Sequence, residues 1–197
     1  KAIGLFALIQ FPFTWKFLWA PLLDRFVPPF LGRRRGWLLL AQLCLIVCMG
    51  AFGLFDPAQR LLGIAALAFA VSFFSASQDI VLDAFRREIL TDRELGLGNT
   101  VHINAYRLAS LVPGSLALIL ADHLPWSMVF WITALFMLPG VAMTFLVSEP
   151  VLRGGAPRSL REAVVEPCRE FIGREGLRSA LVILLFIFLY KLGDSMA

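Results

Sequence analysis

Residues 61–85 read LLGIAALAFAVSFFSASQDIVLDAF, an apolar stretch that also carries Asp79 and Asp83. A helix of about 20 mostly apolar residues is long enough to cross a bilayer. A charge at the bilayer centre costs at least ~2.5–3.5 kcal/mol, so such side chains usually face a protein interior or a watery cavity. The stretch therefore predicts a membrane-spanning helix with one polar, inward-facing side.

The composition of the whole chain indicates the same class. Hydrophobic residues make up 59% of the 197 residues and the mean hydropathy is +0.78, whereas soluble domains contain about 45–50% apolar residues. The sequence predicts an all-α polytopic membrane protein. Its six expected spans cover about residues 2–23, 37–55, 61–84, 97–121, 127–147 and 179–197.

The arginines predict the orientation of these spans. Most basic residues fall in three loops, at residues 23–36, 85–96 and 148–178, which the alternation of spans places on one side. The opposite side carries only Lys1 and Arg60. The arginine-rich side is cytoplasmic by the positive-inside rule. We therefore interpret the net charge of +4 as a topology signal and expect no nucleic-acid partner.

The polar residues of the 61–84 span follow one helical stripe. Ser72, Ser75, Asp79 and Asp83 are spaced by three, four and four residues, and Gln78 flanks them. Asp83 lies near the cytoplasmic end, where it either pairs with Arg86 or Arg87 or takes part in function. Asp79 lies deeper and has no basic neighbour on its own helix. Its partner must therefore come from another segment.

The 97–121 span offers such a partner. Arg107 lies near mid-span and keeps its charge, so it requires a carboxylate or an anionic ligand. Asn104 lies beside it, and the adjacent stripe contains Asn99, His102, Tyr106 and Ser110. His102 is either a hydrogen-bonded structural residue or a proton-transfer group. Pro113-Gly114 is interpreted as a kink or close-packing site.

Charges in the first and last spans have simpler interpretations. Lys16 is close enough to the cytoplasmic edge to extend its amine to the membrane surface. Lys191 and Asp194 are three residues apart on one helix and can pair with each other. The 37–55 and 127–147 spans carry no charge, which is typical of outer, lipid-facing helices.

The loop at residues 148–178 has a helical pattern of its own. Ser159 and Glu162 have the spacing of a capping box. Apolar residues then recur on one face, which predicts a short amphipathic helix that Pro167 bends or divides. The alternative is a solvated linker.

Several motifs together resemble one transporter family. Asp24-Arg25 followed by Gly32-Arg33-Arg34-Arg35 is similar to the cytoplasmic loop signature of the major facilitator superfamily. Six residues separate Arg25 from Gly32 where one is usual, and Ala20 replaces the leading glycine. That departure resembles the AmpG-type muropeptide permeases of the superfamily. KFLWAPLLDR, PPFLGRRRGW, SASQDIVLDA, AYRL and LYKLGD resemble them as well.

The resemblance implies a fold and a division of the chain. It implies a major facilitator-type helix bundle in which six of about twelve transmembrane helices are present. Residues 1–147 would be a partial N-terminal bundle with helices two to six. Residues 148–178 would be a cytoplasmic linker with an amphipathic helix, and residues 179–197 the first helix of the C-terminal bundle. The chain would be a piece of a longer protein.

The resemblance also implies a function. Such permeases are proton-coupled secondary transporters in the bacterial inner membrane. They import GlcNAc-anhydroMurNAc peptides from the periplasm for cell-wall recycling, a process tied to β-lactamase induction and antibiotic resistance. The expected partners are this substrate, protons, membrane lipids and the remaining helices of the same transporter. No enzymatic activity, cofactor or metal is expected.

Site residues follow from the resemblance as expectations. Asp79 and Asp83 would couple the proton. A conformational latch would form from Asp24, Arg25, Arg33, Arg34 and Arg35. The substrate cavity would be lined by Gln78, Asp79, Asn104, Tyr106, Arg107, Lys191 and Asp194.

Two other functions remain open at this stage. A related transporter could carry another substrate, such as acetyl-CoA. A membrane-embedded transferase could hold Mg²⁺ between Asp79 and Asp83, although such a site normally has more oxygen ligands than these two carboxylates provide.

Overall fold

A computed structural model of the chain describes residues 8–55, 60–150 and 160–196. The chain forms two compact units, Lys1–Gly154 and Gly155–Ala197. The described residues of both units are helical and contain no strand. The prediction of an all-α fold is confirmed. The finer division into a partial bundle, a linker and the start of a second bundle stays a prediction.

The first segment differs from the prediction of one continuous span over residues 2–23. From Leu8 onward it is a series of short pieces: a 3₁₀ turn at Leu8–Gln10, helix α1 at Phe11–Trp15, a 3₁₀ turn at Lys16–Leu18 and helix α2 at Ala20–Arg25. Pro12 and Pro21 each lie in the first turn of an α-helical piece. Proline lacks the N–H that a continuing helix requires, so each one starts a helix and interrupts the segment.

The next segments contain the long helices. Helix α3 spans Arg33–Phe52 and helix α4 spans Leu61–Ile89. Helix α5, Leu95–Ala109, continues through a π-helical turn at Val112–Leu116 into helix α6, Ala117–Ala121. Helix α7, Trp126–Leu135, is followed after two residues by helix α8, Leu138–Leu146. In the described residues, four segments are long and apolar enough to cross a membrane: Arg33–Phe52, Leu61–Ile89, Leu95–Ala121 and Trp126–Leu146.

The π-helical turn explains Pro113-Gly114. Pro113 has no N–H for the regular helical bond, and the backbone widens around it. A Cβ added at Gly114 would meet no atom within 4 Å among the described residues. Of the two expectations for this site, the local distortion is therefore present and close packing is not.

Helix α3 is the centre of the first unit. It packs against α4, α7 and α8, and it buries Leu38, Ala41 and Leu45. Near its end, a Cβ added at Gly50 would lie 2.7 Å from the Trp131 ring of α7, so a larger residue would require the ring or the helix to shift. Leu43 and Val47 on the same helix are 49% and 67% exposed, so α3 also has an open apolar side. The expectation that the charge-free 37–55 span is an outer, lipid-facing helix stays a prediction.

The second unit contains two helices. Helix α9 spans Leu160–Glu175 and helix α10 spans Leu177–Met196. Gly176 between them has φ +76°, a left-handed conformation that glycine adopts easily and that commonly ends a helix. Helix α9 runs through Pro167 without division. Most of its described side chains are exposed, and the choice between an amphipathic helix on the membrane surface and a solvated linker stays open. The capping residue Ser159 lies outside the described residues.

Candidate functional site

An ion pair within the membrane-spanning region joins the first segment to α4. Lys16 Nζ bonds the Asp79 carboxylate and lies 3.9 Å from Asp83 Oδ2. The side chains of Lys16 and Asp79 are 34% and 38% exposed. Lys16 is therefore not a residue that merely extends to the membrane surface, as its position in the sequence suggested. It is the partner that Asp79 lacks on its own helix.

Asp83 lies at the cytoplasmic end of the same stripe. Its Oδ1 is 2.7 Å from Arg86 Nη2, so one of the two pairings expected from sequence is present. Arg87 instead pairs with Asp92 in the following turn, at 2.7 Å. Asp83 thus lies between two cations, Lys16 on one side and Arg86 on the other.

Gln78, next to Asp79, has a buried side-chain oxygen. Its Oε1 accepts no hydrogen bond from any described residue. Burying an unpaired polar group costs about 1–3 kcal/mol. Ser72, six residues earlier, donates to the Ile9 carbonyl and is satisfied. Gln78 therefore keeps an unused, buried hydrogen-bond acceptor on this face.

Helix α5 leaves its polar residues exposed within the first unit. It has no buried residue, and Tyr106 is 71% exposed. Asn104 Nδ2 donates to the Thr100 carbonyl on its own helix, at 2.8 Å. Among the described residues, no ion pair or hydrogen bond joins Arg107 or any other α5 side chain to α4. The expectation that Arg107 is near Asp79 as its partner is not met, because Lys16 already occupies that position.

The end of α2, the start of α3 and the end of α4 meet in a charged cluster, at the edge that the arginines predict to be cytoplasmic. Asp24 Oδ1 lies 2.6 Å from Arg34 Nη1 and 3.4 Å from Arg33 Nη1. Glu88 Oε1 lies 2.6 Å from Nη2 of both arginines. Both arginines are buried, at 7% and 5% exposure. Glu88 thus holds α4 to α3, while Asp24 holds α2 to the same helix end.

Glu149 and Arg35 form a second, reciprocal contact. Glu149 accepts hydrogen bonds from the backbone N–H groups of Arg34, at 2.7 Å, and Arg35, at 3.0 Å. Arg35 in turn donates to the Thr144 and Phe145 carbonyls at the end of α8, at 2.7 and 2.8 Å. The start of α3 and the end of α8 therefore satisfy each other's free backbone groups.

Gly32 makes this contact possible. It has φ +93°, and a Cβ added to it would lie 2.8 Å from the Glu149 side chain. An L side chain here would be strained and would also push the carboxylate away. Gly32 of the signature loop is therefore required so that the Glu149 carboxylate can approach the start of α3.

Sequence reasoning missed both Glu88 and Glu149. A signal existed for each, because three adjacent arginines at a membrane edge require carboxylates nearby. Glu88 follows Arg86-Arg87 at the same membrane edge, and Glu149 comes directly after the 127–147 span. The positive-inside rule takes account of the arginines alone, so it gives no information on these carboxylates.

Of the remaining predicted site residues, the structure describes the side chain of Arg25 but not those of Lys191 and Asp194. Arg25 is exposed and its guanidinium carbon lies 5.7 Å from the centre of the Phe26 ring. The side chains of Lys191 and Asp194 in α10 lie outside the described part of the chain. No group of three or more potential metal ligands occurs among the described residues.

Comparison with known proteins identifies the family. Residues 2–194 match the Major Facilitator Superfamily. The anhydromuropeptide permease of Escherichia coli K12 is 46% identical over 198 residues, which cover 100% of this chain and 40% of the permease. A Haemophilus influenzae protein of no stated function is 53% identical over 199 residues, covering 100% of this chain and 47% of that protein.

A more distant relative points the same way. The putative transporter AmpG 3 of Rickettsia typhi is 31% identical over 204 residues, covering 98% of this chain and 49% of that protein. The chain spans less than half the length of these curated relatives. Its several membrane-length helices and these matches confirm a multi-pass protein of the bacterial inner membrane. The chain belongs to the Major Facilitator Superfamily.

Proposed function

We propose that this chain is part of a proton-coupled secondary transporter that imports GlcNAc-anhydroMurNAc peptides from periplasm to cytoplasm by alternating access. The family supports membrane transport rather than catalysis. The name of the Escherichia coli relative, which matches along the whole chain, supports the muropeptide substrate. The rest of the substrate cavity would come from the remaining helices of such a transporter.

The observation that carries proton coupling is the ion pair of Lys16 and Asp79. A carboxylate in a membrane span binds a proton more readily when it is desolvated and less readily when a cation is beside it. Protonation of Asp79 removes the attraction to Lys16. The first segment and α4 would then be free to change their relative position.

Asp83 gives the released lysine a second position. Lys16 Nζ is already 3.9 Å from Asp83 Oδ2. When Asp79 is protonated, Asp83 remains the nearest carboxylate, so the amine would move toward the cytoplasmic end of α4. In this proposal Asp79 accepts the coupling proton and Asp83 receives the displaced lysine.

Substrate recognition would use polar groups that make no contact with another described helix. Arg107 can bind a peptide carboxylate with two parallel hydrogen bonds. Tyr106 can stack on a sugar ring, and Asn104 and Gln78 can bond hydroxyl or amide groups. The exposure of α5 supports this role, since its side chains are not used to hold the described helices together. Lys191 and Asp194 are proposed to complete the cavity.

The cytoplasmic cluster would act as the latch of alternating access. Asp24, Arg33 and Arg34 are joined with Glu88 within the first unit, while Arg35 holds the end of α8. Arg25 is not part of this network. We therefore propose that Asp24, Arg33, Arg34 and Glu88 move together as one part of the latch. Arg25 would make a separate contact.

The magnesium-transferase alternative is disfavoured by one contact. Lys16 Nζ lies against both Asp79 and Asp83, in the position that a divalent cation would take between them. A related transporter of acetyl-CoA remains the second candidate, because both substrates carry anionic groups that Arg107 could bind.

Uptake by the full-length transporter that contains this chain tests the proposal. Proteoliposomes with an alkaline interior are given radiolabelled GlcNAc-anhydroMurNAc tripeptide. We expect Asp79→Asn to abolish uphill accumulation and to retain downhill exchange. Asp92→Asn, at an exposed carboxylate in the cytoplasmic turn, is the matched control and should accumulate normally.

Two results would contradict the proposal. Full uphill accumulation by Asp79→Asn would exclude Asp79 as the coupling group. Competition by excess acetyl-CoA, but not by unlabelled muropeptide, would assign the transporter to the second candidate.

A further inference from the structure

An apolar cavity of about 320 Å³ lies between α2, α3 and α4. This volume is at the lower end of the range for ligand pockets, ~300–1,000 Å³. Leu22 and Phe26 line it and are 40% and 56% exposed, so it opens to the surroundings of the helices. The cavity is separate from the Lys16 and Asp79 pair, since neither residue lines it.

The polar groups in the cavity wall are already bonded within the protein. Trp19 Nε1 donates to Ser77 Oγ at 3.1 Å, and Ser77 Oγ donates to the Phe73 carbonyl at 2.8 Å. Trp37 Nε1 donates to the Phe26 carbonyl at 2.6 Å. The wall thus offers no free donor to a polar ligand. A sugar or peptide would lose its hydration there without compensation.

A positive charge lies next to one of the residues that line this cavity. Arg25 follows Asp24 at the end of α2, and its guanidinium lies over the ring of the cavity residue Phe26. Arg25 forms no ion pair with any carboxylate of the described residues. The neighbouring Asp24 cannot neutralise it locally, because Arg33 and Arg34 already bind that carboxylate.

We infer that the cavity binds one acyl chain of an anionic phospholipid, with the phosphate of that lipid on Arg25. The occupant must combine an apolar tail with an anionic group one residue away, at the cytoplasmic edge of the membrane. An anionic phospholipid of the cytoplasmic leaflet has this chemistry. A guanidinium binds phosphate oxygens with two parallel hydrogen bonds. The inference does not depend on which substrate the transporter carries.

Native mass spectrometry of the full-length protein in detergent tests the site. The protein is titrated with phosphatidylglycerol and, separately, with phosphatidylcholine of the same chains. Arg25→Gln removes the charge, and Leu22→Trp fills the mouth of the cavity from an already exposed position. Arg93→Gln is the matched control, because Arg93 is exposed on the same membrane side and no cavity residue adjoins it.

We expect phosphatidylglycerol to bind more tightly than phosphatidylcholine. Arg25→Gln should weaken phosphatidylglycerol about fivefold, the loss for one basic residue near an anionic lipid surface. It should leave phosphatidylcholine nearly unchanged. Leu22→Trp should weaken both lipids, and Arg93→Gln neither.

Three results would overturn the inference. Equal affinity for the two lipids would remove the role of the phosphate charge. Unchanged binding by both Arg25→Gln and Leu22→Trp would place any bound lipid elsewhere. A structure of the full-length protein with another helix or a second copy seated in the cavity would show a protein occupant.

Discussion

The carboxylate of Glu149 accepts the backbone N–H groups of Arg34 and Arg35, across a sequence separation of 115 residues for the first of these bonds. A helix start leaves its first N–H groups without partners and carries partial positive charge, so a carboxylate there is favourable. Three arginines in the first turn of α3 increase this need. Glu149 therefore caps a helix to which it is not adjacent in sequence.

Removal of this cap should lower stability. We expect Glu149→Ala to reduce the free energy of unfolding by about 0.5–2 kcal/mol, the range for loss of a helix N-cap. Equilibrium unfolding in mixed detergent micelles measures the change. Glu166→Ala, at an exposed position in α9, should be close to neutral. Equal stability of the two variants would mean that the Glu149 contact contributes nothing.

Lys16 and Asp79 should be energetically coupled. Lys16→Met leaves the Asp79 carboxylate without its cation, and Asp79→Asn leaves the amine beside Asp83. The double variant removes both charges and should recover part of the loss. A double-mutant cycle on unfolding should give a coupling energy of about 0.5–3 kcal/mol. Strictly additive losses would show that the two side chains do not interact in the folded protein.

The contact of Gly50 with Trp131 should be sensitive to an added side chain. A Cβ at this position would lie 2.7 Å from the indole ring, so Gly50→Val displaces that ring or moves α3 and α7 apart. We expect destabilisation of about 1–3 kcal/mol, typical of overpacking. A thermal-shift assay in detergent measures it. Gly114→Val changes a glycine that contacts nothing in the described residues and serves as the packing control. A smaller loss for Gly50→Val than for Gly114→Val would contradict the packing argument.

Glu94 should titrate below its ordinary range. Its carboxylate accepts bonds from the Thr91 hydroxyl, at 2.7 Å, and the Thr91 backbone N–H, at 3.0 Å. These bonds hold the pKa of Glu94 below the usual value for glutamate. Because the pKa is lowered on folding, the stabilisation of this turn is complete above the ordinary pKa and is lost as pH falls through the folded pKa.

Carbon-detected NMR of labelled glutamate measures that titration. Thr91→Ala removes the hydroxyl and should move the pKa of Glu94 back toward the ordinary value. Thr100→Ala is the control, since its hydroxyl bonds the Gly96 carbonyl instead. An identical Glu94 titration in wild type and Thr91→Ala would refute the assignment of the cause.

Arg107 should affect transport without affecting folding. It lies on a helix without buried residues, so Arg107→Gln should leave unfolding unchanged. Loss of a charge-assisted contact to the substrate costs about 1.5–3 kcal/mol, which corresponds to roughly a ten- to hundredfold weaker apparent affinity. Uptake by the full-length transporter at varied substrate concentration measures this. An unchanged affinity would remove Arg107 from the proposed cavity.

Sequence patterns predicted the helices well because membrane-spanning length depends mainly on hydrophobicity along one segment. The 61–84 prediction differs from Leu61–Ile89 only at its polar end. The prediction of one continuous helix for the first segment was wrong. The prolines and the 3₁₀ turn at Lys16 interrupt the helix through backbone geometry, which average hydropathy does not report.

The charged contacts were likewise predictable within one helix and not between segments. Asp83 with Arg86 was predictable because the two are one helical turn apart. Asp79 with Lys16, and Glu149 with Arg34, join segments far apart in sequence. Helical spacing gives no information on such pairs, because they depend on which helices pack together. The expected pairing of Arg107 with Asp79 shows this. The charge of Arg107 requires a partner, but the sequence does not identify that partner.

The reciprocal capping of α3 and α8 has a consequence for biosynthesis. Arg34 leaves the ribosome 115 residues before Glu149. At ~5–20 residues per second, the start of α3 waits roughly 6–23 s for its cap. Three adjacent arginines at the membrane edge oppose translocation of their loop, and a nearby carboxylate changes this little. The same residues therefore fix the orientation of the nascent chain first, and they join α3 to the end of α8 only after Glu149 has been made.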